Sequence, residues 1–83
     1  MIDAAVEYYD RKYGNDLKGA FIQTVRELGE LARAVERDQS ELAAHEITEI
    51  AALMKFLAVR YDFDLEEKMA SLYAKKLEKL EGS

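Results

Sequence analysis

Apolar positions along this chain recur at helical spacing. Leu17, Phe21, Val25, Leu28, Leu31 and Val35 follow one another at intervals of three and four residues, which places them on one stripe of a single helix. Ile2, Val6, Tyr9 and Tyr13 do the same over a shorter run. No segment sustains a two-residue alternation of β-branched residues, so an all-α reading has little competition. Proline is absent and glycine occurs only at positions 14, 19, 29 and 82. These observations predict four helices. The first runs from about Ile2 to Tyr13 and is ended by Gly14-Asn15. The second starts from an N-cap at Asn15 or Asp16 and runs to about Arg37. The third begins near Asp38, where Asp38 and Glu41 have the spacing of a capping box, and reaches about Tyr61. The fourth is announced by Asp64 and Glu67 in the same relation and ends near Gly82.

Short connections make the second, third and fourth helices sequential antiparallel neighbours, so the expected architecture is an all-α antiparallel bundle of about four helices. The third helix is exceptional, because thirteen of the eighteen residues from Leu42 to Val59 are apolar. Such a helix has to be covered on several sides. A small domain buries a low fraction of its surface, so the expected remedy is homo-oligomerisation, as a homodimer or homotetramer.

Composition narrows the classes of function. The chain has 83 residues, read as a single domain over 1–83, with 17 acidic and 12 basic side chains and a formal net charge of -5. An apolar share of 49% excludes a disordered acidic tail. The negative charge, with no block of Lys and Arg, argues against binding to a nucleic acid polymer. Without cysteine there are no disulfides, thiolate metal sites or cysteine nucleophiles. The start MIDAAVEYYD lacks the basic and apolar regions of an export signal. The most apolar stretch carries His45, Glu46, Glu49 and Lys55, which are costly in lipid. A cytoplasmic protein that does not enter membranes is expected.

The chemistry is carried by acids three residues apart. At about 100° per residue, Glu46 falls inside the apolar stripe of the third helix and Glu49 at its edge. A buried carboxylate stays charged only beside a cation or strong donors. On the second helix Glu27 and Glu30 flank the apolar stripe, so antiparallel packing lets the two pairs converge. Four close carboxylates call for a metal, and hard oxygen ligands suit Mg²⁺ or Mn²⁺, which points to phosphate chemistry. Lys68, Lys75 and Lys79 form a strip beside Leu65 and Leu72 that can hold phosphate oxygens. Simpler explanations exist for each feature. Glu27 and Glu30 can pair on the surface with Arg26, Arg33 or Lys18, Glu46 can form a core ion pair with Lys55 or Arg60, and the lysine stems can merely cover apolar neighbours. His45 is expected beside the acids or on the surface, and Tyr8, Tyr9 and Tyr13 either pack or offer rings on which a base stacks.

With Glu27-Leu-Gly-Glu30 on one helix and His-Glu46-Ile-Thr-Glu49 on the next, the chain resembles the MazG-like branch of the all-α nucleotide pyrophosphohydrolases from about Phe21 to Leu80. Asp62-Phe63-Asp64-Leu65-Glu66-Glu67 occupies the place of that family's Gly-Ile-Asp-Leu-Glu-Glu loop. The resemblance implies Mg²⁺ binding and catalysis by Glu27, Glu30, Glu46 and Glu49. It also implies cleavage of nucleoside triphosphates between the α and β phosphates to a monophosphate and pyrophosphate, and assembly as a dimer or tetramer. Arg26 replaces the first acid of the family's Glu-Glu pair, Glu49 stands where Asp is usual, and the C-terminal Asn and Arg of relatives give way to Lys75, Lys76 and Lys79. The alternatives are a non-catalytic helical oligomerisation or interaction protein, and a di-iron carboxylate bundle. The second would need Glu-x-x-His pairs, and Leu42 stands at that spacing from His45.

Overall fold

The computed structural model describes residues 3–82, and among these residues it contains four helices and no strand. Helix α1 spans Ala4–Tyr13, α2 Leu17–Glu36, α3 Ser40–Arg60 and α4 Leu65–Gly82. Ile2, expected in the first helix, lies outside the described residues.

Local chemistry sets the helix ends. The Asp3 carboxylate accepts from the amides of Ala5 and Val6 at 3.0 and 3.3 Å and caps α1. Gly14, at φ +54°, ends that helix in a conformation that L side chains rarely adopt. Asp16 then caps α2 by accepting from Gly19 N at 3.0 Å, and any side chain at Gly19 would collide with the capping carboxylate. Asp64 accepts from Glu67 N at 3.1 Å, so the expected cap of α4 is formed.

The capping box expected at Asp38 and Glu41 is not formed. Asp38 has φ +55° and finishes α2 instead: its amide donates to Val35 O at 3.2 Å and that of Gln39 to Ala34 O at 2.9 Å. That pair of bonds satisfies the last carbonyls of the helix, and Asp is among the few side chains that enter the left-handed region readily. Gln39 becomes the residue before α3 and makes no side-chain cap bond. Asp62, at φ +56°, repeats the arrangement after α3, with Asp62 N on Val59 O and Phe63 N on Ala58 O, both at 3.1 Å.

Helices α2 and α3 form an antiparallel hairpin, and α1 packs against α3. The core is Tyr9, Ala20, Leu53 and Phe56, with Tyr13, Leu17, Ala52, Met54 and Leu57 packed around it. The side of α2 that meets α3 overlaps only part of the apolar stripe expected from the sequence, with Leu17 packed on the core and Leu31 half-buried. Ala20, Thr24 and Ala34 are buried, whereas Phe21, Val25, Leu28 and Val35 remain 48–62% exposed. Small side chains let two helix axes approach more closely, so α3 is seated on the narrow flank and the large residues face outward. The Thr24 hydroxyl is satisfied by donating to Ala20 O at 2.9 Å.

Helix α4 departs from the expected bundle more sharply, because it buries no residue at all. The radius of gyration is 15.2 Å, against about 12 Å for a compact chain of this length. Among the described residues no helix is long and apolar enough to cross a membrane.

Candidate metal centre

Antiparallel pairing of α2 with α3 brings Glu27, Glu30 and Glu46 together, each offering a carboxylate oxygen within 4.8 Å of the others. Glu27 is half-buried, Glu30 exposed, and Glu46 only 4% exposed. Gln23, one turn before Glu27, donates from Nε2 to Glu27 Oε1 at 2.6 Å and fixes that side chain.

Glu46 is the unusual member. Its Oε2 is buried with no hydrogen-bond partner, a costly state for a carboxylate oxygen. The hydrogen bond with Glu27 lifts its pKa to about 7, and burial and the negative charges of Glu27 and Glu30 act in the same direction. His45 is the neighbour that opposes the rise. The ion pairs by which Glu46 could have been satisfied within the core are engaged elsewhere. Lys55 pairs with Asp3, and Arg60 with Asp10 at 3.4 Å and with the side-chain oxygen of Asn15. Among the described residues, Glu27 and Glu30 form no ion pair with Arg26, Arg33 or Lys18 either. The result is a negative, partly buried cluster with an orphaned oxygen. This is a donor set that a hard divalent cation fits and a monovalent surface pair does not.

The fourth acid is turned away from this trio. Glu49 Oε2 accepts from the Tyr9 hydroxyl at 3.0 Å, and Glu49 Oε1 lies 3.2 Å from His45 Nε2. Burial and then the bond to Glu49 hold the Tyr9 phenol well above its ordinary pKa, so it stays a donor. Glu49 therefore borders the cluster and is anchored to α1. The link between Tyr9 and Glu49 spans forty residues and left no periodic trace in the sequence, while that from His45 to Glu49 is the ordinary one-turn spacing.

The lysines are not brought to the acids within one chain. Lys68 and Lys75 line a groove of about 480 Å³ with Phe63, Asp64, Glu67, Ser71 and Leu72, and Lys79 stands exposed one turn further along. Glu46 lies roughly 21 Å along α3 from Arg60, and α4 leaves from beyond that end without packing back. Comparison with protein-family models, with curated proteins and with solved structures finds no match to this chain.

Proposed function

We propose that this chain is a divalent-cation-dependent nucleoside triphosphate pyrophosphohydrolase of the MazG-like kind, cleaving between the α and β phosphates. The observation that carries the reading is the convergence of Glu27, Glu30 and Glu46 on one point, with a buried, unpartnered oxygen on Glu46. These three side chains would hold Mg²⁺ or Mn²⁺. A cation so held supplies charge neutralisation at the phosphates and activation of water for in-line attack.

The chain's own residues prepare that site before any ligand arrives. Gln23 orients Glu27, and the packing of α3 between α1 and α2 keeps bulk water from Glu46. Low local dielectric strengthens the attraction of the carboxylates for a cation. Tyr9 and His45 hold Glu49 at the rim, away from the other three acids. In this reading Lys68, Lys75 and Lys79 serve phosphates only from another copy of the chain.

The reading includes self-association as a dimer or tetramer in the cytoplasm. The accessible surface is 6715 Å², whereas a compact chain of 9.5 kDa exposes about 5,000 Å². The excess is about twice the roughly 800 Å² that each partner contributes to a standard interface. Phe21, Val25 and Leu28, joined by Ile47 of α3, offer the apolar face. On α2 that face lies to one side of the α3-facing strip that contains Glu27, with Glu30 beyond the other side, so association would leave the acids open.

A non-catalytic interaction protein is the second reading, favoured by α4, whose whole length buries nothing. One assay separates the two. The chain is incubated with Mg²⁺ and each common nucleoside triphosphate, and pyrophosphate is measured. Release that falls at least about a hundredfold in Glu46→Gln is expected, in line with the loss of a charge-stabilising group. No release from any triphosphate would favour the interaction protein.

A further inference from the structure

A second concavity adjoins the acid cluster and is not used by the chemistry just described. Tyr8, Tyr9 and Ala5 of α1 and His45, Thr48, Glu49 and Ala52 of α3 enclose a pocket of about 270 Å³. That is just below the roughly 300 Å³ at which drug-sized pockets begin, and suits a single ring system. Its place is set by the same helix that carries the acids, since His45 directly precedes Glu46 and Glu49 follows one turn later. The charge of Glu27 acts on Tyr9, which lines this pocket, so the two sites are neighbours across α1 and α3.

The lining has the two properties a base needs. One is a flat, exposed aromatic ring, with the Lys12 ammonium over one side of it at 5.9 Å from the centroid. Tyr8 is 57% exposed, and it meets the buried Tyr9 ring edge-on at a centroid distance of 5.0 Å. Tyr9 is itself held by Glu49 and stacked on Tyr13 at 6.0 Å, so the platform under Tyr8 is rigid. The other is a carboxylate at the pocket's edge. Glu49 Oε2 accepts from Tyr9 and Oε1 lies 3.2 Å from His45 Nε2, whereas a carboxylate has about four acceptor directions in all. The remaining two face no donor of this chain among the described residues. Their natural partners are N–H groups on the rim of a ring.

Resting on the pyrophosphohydrolase reading, we propose that this pocket between α1 and α3 is the base site, in which the base stacks on Tyr8 and donates from an exocyclic amino group to Glu49. Cytosine, adenine and guanine present such an amino group. Uracil and thymine turn keto oxygens toward the carboxylate on both sides of their single ring N–H, and acceptor facing acceptor is repulsive. Thr48 does not choose between them, because its hydroxyl is already donated to Ala44 O at 2.8 Å.

The test is steady-state pyrophosphate release from CTP, ATP, GTP and UTP with Mg²⁺, by the full chain and by two variants at Tyr8. The expected result is a kcat/KM for UTP at least about tenfold below that of the best amino-bearing triphosphate. Loss of one base–aromatic stack, worth about one to two powers of ten, is expected to raise KM at least about tenfold in Tyr8→Ala. The change in kcat would be less than about threefold, and Tyr8→Phe would restore KM. A Tyr8→Ala variant with unchanged KM, or a preference for UTP, would overturn the base site while leaving the hydrolase standing. Absence of release from all four triphosphates would overturn both. Circular dichroism of Tyr8→Ala establishes that the exposed substitution leaves the helices intact.

Discussion

The α2–α3 hairpin and helix α4 both carry apolar residues at helical spacing and end in opposite states. The hairpin draws Glu46 into an almost water-free position with Glu27 and Glu30 at its side, and leaves one oxygen of Glu46 unanswered. Helix α4 carries Met69, Leu72, Tyr73 and Leu77 beside its lysines and buries none of them. Charge in the hairpin is a stored demand for a counter-charge, and charge on α4 is simply solvated. The difference teaches that an apolar stripe does not say which side of a helix will be covered. On α2 four of the six stripe residues, Phe21, Val25, Leu28 and Val35, stay outside, and the small residues Ala20, Thr24 and Ala34 are the buried ones.

The contrast can be broken most directly in the core. Phe56→Ala is expected to destabilise by about 3–5 kcal/mol, since Phe56 is fully buried between α1 and α3. Leu77→Ala on α4 is expected to cost under about 0.5 kcal/mol. Denaturant titration of both gives the comparison, and a Leu77→Ala loss matching that of Phe56→Ala would mean that α4 is packed in solution. Next in size is the outward stripe. Val25→Glu is expected to halve, or more, the molar mass measured by light scattering while leaving helix content unchanged; a mass equal to that of the parent chain would remove Val25 from any interface.

A pH titration sharpens the account of Glu46. Its pKa is raised from 4.5 in the unfolded reference to about 7 in the fold, so between those values the folded chain holds a proton that the unfolded chain has lost. By linkage, the stability due to this group is full below about pH 4.5 and is lost as the pH rises to about 7. Denaturation midpoints in metal-free buffer are expected to fall across that window, and the slope is expected to flatten in Glu46→Gln. An unchanged slope would show that other groups set it. The smallest effect is expected from Lys68→Ala combined with Lys75→Ala. Both side chains line an open groove on α4, so stability should stay within about 0.5 kcal/mol.

Much of the candidate site was legible because it depends on helical periodicity alone. Glu46 falls inside an apolar stripe whatever that helix packs against, and Glu27 and Glu30 flank the neighbouring stripe. The sequence left open whether Lys55 or Arg60 would meet Glu46; the answer came from Asp3, Asp10 and Asn15, which draw those cations to the other end of α3. Glu49 was legible as an acid near the site. Its anchor was not, because Tyr9 reaches it from a helix forty residues away.

By itself the sequence determined that the chain is helical, where α2 and α4 begin, and which acids share a side of α2 and α3. These follow from spacing and from side chains bonding to their own backbone, both local properties. Only the tertiary structure decided that Asp38 would close one helix instead of opening the next, that α2 would turn its small residues to α3, and that Glu46 would keep an unpartnered oxygen. Those outcomes depend on competition between distant groups for the same space and the same hydrogen bonds, which periodicity along one helix does not encode.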